Sequence, residues 1–456
     1  MDTTRRAAEL NLSKETAMRV KSSFVGGLAA VLFSGMLGAQ PVTAPASEQV
    51  ISDSYIYLLS RLLVLRQQQL DFKEGFKWNQ LMHRKPGEVA WPNPNLDVAY
   101  SEAWVTVDEK SCALVTVPKI SGRYYTMQFL NGWGETVLNL NERLYPQHPY
   151  GEFAVCLRGA DVKLPAAALR VDVPVKNMRV LSRVELGANW DEAVALQKKF
   201  EIRSTGKPVP PKVPHTVMFD IGELPGVEAF ESAQAALDSE ADINPGMENM
   251  QASTRMIALA VKDPAERQRV DQVVRRKAFA DLNQAMLTIA GSPKHNGWVL
   301  PKISGSYGSD WLMRTLINDG GIWANVPEEV IYYKAFVDPD GQRLSGDHSY
   351  TLHFSKEQLP AQFATYFWSV IAVDGVHRRV LPNSLKRYLI SKESHLQYAQ
   401  DGSLTLYLAD QKPANAPEGN WLPTPKGLSY SLTFRFYRGQ GAVAQRTYFP
   451  PALLRQ

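Results

Sequence analysis

Tyr307, Asp310 and Arg314 stand on a glycine-flanked run, Gly305-Ser306-Tyr307-Gly308-Ser309-Asp310, that leads into a helix. Asp310 and Arg314 are four residues apart and share one helical face. That spacing suits either an ordinary surface ion pair or, with the tyrosine, an acid–base cluster. Asn95, Asp97 and Tyr100 form a second set just ahead of a strand. Asn and Asp there either bond neighbouring backbone N–H groups and shape a turn, or make a polar rim in which Asp97 accepts and Tyr100 donates. Arg123 and Tyr124 open another strand; such an arginine either forks onto Asp97 or Asp310, or grips a ligand carboxylate or phosphate bidentately. Trp368, Asn383, Arg387, Tyr388, Asn420, Trp421 and Arg435 combine aromatic faces with amide and guanidinium donors. A pyranose needs both, one for its apolar face and one for its hydroxyl edge, and plain cores also pack Trp against Arg. Read as catalysis, the candidates are Asp97, Tyr100, Tyr307, Asp310 and Arg314. Read as ligand binding, they are Asn95, Arg123, Tyr124 and the seven residues of the second half.

Other chemistries lack their motifs. There is no G-x-S-x-G elbow, no H-E-x-x-H, no G-x-G-x-x-G and no Walker loop, so neither a nucleotide cofactor nor a metal is expected. His348 and His353 are five apart on a predicted strand and point to opposite faces. Asp338-Pro339-Asp340-Gly341 lacks the closing Glu of a calcium loop and reads as a turn.

The elements that must position these groups follow from periodicity. Residues 48–81 read as helix, with Tyr55, Leu58, Leu59, Leu62 and Leu63 at helical spacing. From Trp91 the period changes to two, predicting strands over 103–107, 113–117, 124–130, 152–157 and 178–184, then a short helix over 191–200. Pro208, Pro210, Pro211 and Pro214 predict an extended connector. Helical patterns dominate from about 225 to 290 and again over 311–318, and strands return at 330–337, 349–354, 365–373, 403–408 and 429–437. No fixed-period repeat of solenoid or propeller type is present. The expected organisation is a leader at 1–46, a helix plus β-sandwich at 47–204, a Pro-rich linker and helical segment at 205–302, and a second β-sandwich at 303–456.

The chain has 456 residues, 45% hydrophobic and 21% charged, enough to build sizeable cores. Its net charge of +4 is spread out, without the basic stripe of a nucleic-acid partner. Arg19 and Lys21 precede an uncharged apolar run from Phe24 to Leu37, and Ala44-Pro45-Ala46 has A-x-A spacing. This is the order of a secretory signal peptide, so export to the periplasm or the medium is expected, with no membrane association after cleavage. In such a compartment Cys112 and Cys156, on neighbouring strand segments, either pair or remain two buried thiols.

The run Asn95-Leu96-Asp97-Val98-Ala99-Tyr100-Ser101, then Gly122-Arg123-Tyr124-Tyr125, then Pro174 with Arg183 resembles the bacterial family called domain of unknown function 1254. Val98 and Val175 stand where that family commonly carries Thr. Gly305 to Arg314 resembles the run leading into domain of unknown function 1214. Phe367-Trp368-Ser369, Asn383 with Arg387-Tyr388, Asp401-Gly402-Ser403-Leu404, Asn420-Trp421-Leu422-Pro423, Phe434-Arg435-Phe436-Tyr437 and Pro450-Pro451 continue the likeness. The resemblance covers about residues 50–456. It implies a mainly β, α+β fold: two jelly-roll-like β-sandwiches around helical segments. It implies no assigned activity. The expected function is binding of a small polar or carbohydrate-like molecule between or on the β lobes. The alternatives are a cofactor-independent hydrolase or lyase using an Asp/Tyr/Arg cluster, and a structural or assembly module of the envelope.

Overall fold

A computed structural model describes residues 45–88 and 91–456; the leader expected at 1–46 falls almost wholly outside the described residues. Ala46–Gln456 form one compact unit. Helices and strands are both well represented, in an α+β fold with four sheets.

Helix α1 (Glu48–Glu74) starts at Ser47, whose hydroxyl accepts from the Val50 N–H, and stops at Gly75 in the left-handed region. It is buried on nearly every side, its buried polar members Arg61, Arg66 and Gln67 bound to Gly132, Phe219 and Asp71. The predicted extension to residue 81 fails at this glycine, whose φ of 115° ends the helix. No helix among the described residues is long and apolar enough to cross a membrane.

The first lobe holds β1 (Met82–His83), β2 (Val98–Thr106), β3 (Ala113–Val117), β4 (Tyr125–Leu130), β5 (Thr136–Leu140), β6 (Gly151–Leu157), β7 (Leu169–Val173), β8 (Asn177–Glu185), α2 (Trp190–Gln197) and β9 (Glu201–Ser204). One sheet runs β1-β2-β8-β4-β5 and the other β7-β6-β3-β9. Their facing sides share one apolar core that includes Ala103, Val105, Val115, Phe129, Phe153 and Val180. Cys112 and Cys156 are joined in a disulfide, Cα atoms 4.4 Å apart.

After the Pro-rich connector come α3 (Glu228–Glu231), α4 (Ala233–Ser239), α5 (Glu248–Ala260), α6 (Pro264–Val273) and α7 (Phe279–Thr288), which pack on α1. The hairpin β10 (Lys294–His295) and β11 (Trp298–Val299) leads to α8 (Trp311–Gly321). The second lobe is β12 (Val330–Ala335), β13 (Tyr350–Phe354), β14 (Trp368–Asp374), β15 (Leu389–Ser391), β16 (Leu404–Ala409), β17 (Trp421–Pro423), β18 (Tyr430–Tyr437), α9 (Gly441–Ala444) and β19 (Leu453–Arg455). Its sheets run β10-β11-β12-β18-β14-β15 and β17-β16-β13-β19.

The two lobes have one topology. Strands β11 to β19 occupy the places of β1 to β9, in the same order in both sheets. The parallel edge pair β6/β7 recurs as β16/β17, and a helix sits between the last two strands of each lobe. Register agrees as well. Tyr100 pairs with Arg183 across β2/β8, and Tyr332 pairs with Arg435 across β12/β18. On the other side Arg183 faces Thr126, and Arg435 faces Ser369, two small hydroxyl residues. The fold is an internal duplication at the level of strand order.

Strands β2 and β18 are buried along their whole length, and β8 from Met178 onward. One face of each closes its own sandwich. The other, carrying the tyrosines and arginines, meets aromatic residues of the opposite lobe and of the segment after α8. Alternation in these strands therefore separates two buried faces, one apolar and one polar, rather than inside from outside.

Candidate functional site

Between those polar faces lies a narrow cavity of about 70 Å³, partly open to solvent. Tyr100 and Arg183 come from the first lobe, Tyr332, Lys334, Arg435 and Tyr437 from the second, and Trp323 from the turn after α8. The placement is a consequence of period two. Tyr332 and Lys334 lie on one face of β12, as Arg435 and Tyr437 do on β18.

Arg183 donates to Gln128 Oε1 at 2.6 Å and to the Trp323 carbonyl at 3.0 Å. Its guanidinium stands 5.4 Å from the centre of the Tyr100 ring. Arg435 donates to the Asn93 carbonyl at 2.9 Å and to Asn93 Oδ1 at 3.1 Å. Neither pairs with a carboxylate. Arg183 Nε, Arg435 Nη1 and Trp323 Nε1 are buried donors with no partner within the protein, each of which costs about 1–3 kcal/mol while unpaired. Arg378 also lines the wall and is bound to Asp319 at 2.6 Å.

Lys334 has a single bond, Nζ to the Gly320 carbonyl at 3.4 Å, and no carboxylate partner. Burial, and then the nearby positive charges of Arg435 and Arg378, push its ammonium down to about 7. The side chain keeps some contact with solvent, which tempers the desolvation. Desolvation raises Tyr100 and Tyr437, so both stay protonated donors at neutral pH. Asn93, Trp323 and Arg378 all have φ between 50° and 66°. For a buried tryptophan that backbone is strained, and strain of this kind gathers where geometry is over-determined, as at functional sites.

Of the residues singled out in the sequence, Asn95, Tyr100 and Arg435 line this cavity. Asn95 also shapes its turn, accepting from the Asp97 N–H at 2.6 Å and donating to the Tyr437 hydroxyl. Asp97, Arg387 and Tyr388 line a different, more open cleft, together with Trp190, Glu185 and Lys392. Burial raises Asp97 to about 6, with Ser369 and the Arg435 charge opposing. The remaining candidates are structural in this arrangement. Asp310 caps α8, accepting from the Met313 N–H at 3.0 Å, so it does not pair with Arg314. Arg314 is fully buried, bound to Asp242 at 2.7 Å and held 4.4 Å from the Trp133 ring centre. Tyr307 is buried among Ile289, Val299 and Met313. Gly305 in the same motif has φ 71° and lies so close to Val326 that an added Cβ would come within 2.6 Å of its backbone nitrogen, so its role is backbone approach.

Arg123 donates to the Glu185 and Leu186 carbonyls and to Glu192, and not to Asp97 or Asp310. Tyr124 donates to Glu329 at 2.8 Å. Trp368 is inside the second sandwich. Asn383 bonds within its own loop, Asn420 ties Gln397 to Thr405, and Arg387 packs on Trp421 while binding Glu418. Trp368 and Trp421 are both buried. Sequence reasoning quoted Arg183 only as part of a motif and passed over Tyr332, Lys334, Arg378 and Trp323. The available signal was a cluster of polar side chains at alternate positions in otherwise apolar strands.

Residues 78–204 match the model of Protein of unknown function (DUF1254), and residues 329–441 that of Protein of unknown function (DUF1214). The chain belongs to this paired family. The DUF1254 match takes in β1 to β9 and supplies Tyr100 and Arg183; the DUF1214 match takes in β12 to β18 and supplies Tyr332, Lys334 and Arg435. The crystal structure of the VPA0106 protein from Vibrio parahaemolyticus is similar in fold, with a TM-score of 0.59 at 20% identity, over 89% of this chain and 99% of that one. A weaker likeness, TM-score 0.45 at 12% identity over 90% and 94% of the two chains, is to an uncharacterized protein from Burkholderia cenocepacia. No curated protein matches in sequence.

Proposed function

We propose that this is an exported protein that binds a small organic anion, a carboxylate with an apolar body, in the cavity between its two sandwiches. The observation that carries this reading is the charge of the wall. Arg183, Lys334, Arg378 and Arg435 line it, and no Asp or Glu does. A carboxylate accepts the unpaired guanidinium donors and offsets the self-repulsion of clustered cations. Trp91, Trp323, Phe336 and Ile317 suit an apolar or aromatic remainder. Support for export comes from the leader pattern and from the disulfide, a feature of oxidising compartments.

Isothermal titration of the full chain with aryl carboxylates and with their neutral amide counterparts tests this. Carboxylates are expected to bind and amides not to, and Arg435→Met should weaken binding about a hundredfold, the worth of a charge-assisted bond. Binding of neutral sugars with indifference to carboxylates would overturn the reading.

A second reading rests on Asp97. Its Oδ2 is buried without a partner and its carboxyl titrates near 6, beside an open cleft. Those are the attributes of an acid–base group in a hydrolase or lyase. Loss of hydrolysis across an ester and glycoside panel in Asp97→Asn would favour it.

A further inference from the structure

Lys334 stands apart from the other charged side chains of the inner faces. It lies on the same face of β12 as Tyr332, lines the cavity, and has neither a carboxylate partner nor more than one long bond to a carbonyl. Lysines retained only for charge are usually paired when removed from water. A lone amine facing guanidiniums is instead the arrangement that keeps a lysine unprotonated and nucleophilic. A second depression shares Met286, Phe336, Arg378 and Ser431 with the cavity wall.

We propose that Lys334 attacks the carbonyl carbon of a 2-oxo carboxylate whose carboxylate is held by Arg183 and Arg435, and forms an imine with it. This rests on the anion-binding reading and names its substrate class. The amine lone pair makes the new C–N bond while the carbonyl π pair moves to oxygen, which takes up a proton as the nitrogen gives one up. The nitrogen lone pair then expels that oxygen as water, its second proton supplied by a phenol of the wall, Tyr332 or Tyr100, and the phenolate regains its proton from the iminium nitrogen to leave the neutral imine. The C=N bond replaces C=O, one water leaves, and nothing is oxidised or reduced. A titration near neutrality keeps an appreciable fraction of the amine free to react. The imine withdraws electrons from the neighbouring carbon, so the reaction class is one that breaks a bond at the carbon next to the carbonyl.

The test uses the full chain with phenylpyruvate, pyruvate or 2-oxoglutarate and borohydride as the trapping reductant, followed by peptide mapping by mass spectrometry. The expected result is one reduced adduct, on Lys334, at least about tenfold above any other lysine, with selectivity lost in Lys334→Arg. Phenyllactate, which has the carboxylate but no carbonyl, is titrated in parallel against the wild type, Lys334→Arg and Arg435→Met. Circular dichroism and urea unfolding matching the wild type show that Lys334→Arg is folded. Adducts spread evenly over lysines, and unchanged in Lys334→Arg, would overturn the imine. If phenyllactate binds in an Arg435-dependent way and no adduct forms on Lys334, the imine is wrong and the anion site stands. If no carboxylate binds, both fall.

Discussion

The two sandwiches place the same pair, a tyrosine and an arginine, at the same register, and then diverge two residues further along the first strand. There the first lobe has Glu102 and the second has Lys334, facing Leu181 and Thr433 at equivalent positions. Glu102 is fully buried and bound by both Arg84 and Arg179, and Arg179 also reaches Asp71 at 3.3 Å. Lys334 has no such partner. The carboxylates just ahead of these strands invert the pattern. Asp97 in the first lobe has an unpaired oxygen, whereas Glu329 in the second is bound by Arg143 and Tyr124. A duplicated scaffold thus carries, in each lobe, one charge that is satisfied and one that is not. The satisfied ones hold the fold together, and the unsatisfied ones face a cavity or a cleft.

The largest effect should come from the first lobe's buried pair. Arg179→Met leaves Glu102 and Asp71 short of a counter-charge inside the protein and should cost about 3–5 kcal/mol in urea unfolding. A loss below about 1 kcal/mol would mean that Glu102 is no better satisfied than Lys334. Next, Cys112→Ser with Cys156→Ser should cost about 3–4 kcal/mol, since the bond closes a loop across a sequence separation of 44. The register puts Ser349 and Ala409 at the matching places of the second lobe, where no such bond is possible. Calorimetry on the double variant should show the first lobe melting earlier than the second.

Lys334→Met should act in the opposite direction, stabilising by about 1–2 kcal/mol at pH 6. The groups facing this amine are Arg435 of β18, Arg378 after β14, Tyr332 on its own strand and the Gly320 carbonyl of α8. With the folded value near 7 and the ordinary value of 10.5, the folded chain binds fewer protons than the unfolded one between those limits. Wild-type stability therefore rises with pH across that window, and the variant's advantage should shrink from pH 7 upward and vanish by about pH 10.5. An advantage independent of pH would remove the argument from charge. The smallest effect is expected for Asp97→Asn, about 1 kcal/mol. The folded carboxyl, near 6 against an ordinary 3.8, binds more protons than the unfolded one between those values. Its penalty is absent below about pH 4 and complete above pH 6. The variant should gain over that range, while Glu329→Gln, which strips a partner from Arg143, should lose at neutral pH.

Much of the fold was legible because strand and helix periods are local. The longer strands, the helical middle and the Pro-rich connector fall where alternation, helical spacing and imino acids put them, whereas β5, β7, β9, β15, β17 and β19 gave no such signal. The duplication was not legible. Tyr100 and Tyr332 are 232 positions apart and Arg183 and Arg435 are 252 apart, so unequal loops erase any constant period. The site was half legible. Tyr100 stood out in a polar set expected just ahead of a strand, though it lies inside β2, and Arg435 among aromatic and guanidinium groups, but the tempting Asp310–Arg314 spacing misled, because Asp310 serves the helix end and Arg314 turns inward to Asp242.

By itself the sequence determined which residues alternate, where turns interrupt them and which segments resemble the paired family, since these depend on neighbours a few positions away. Only the tertiary structure decided that two equivalent sheet faces meet, that four cationic side chains, of which Arg378 alone is paired with a carboxylate, share the cavity between them, and that Lys334 is left unpaired. Charge satisfaction depends on which distant strands come within a few ångströms, and spacing along the chain does not encode that distance.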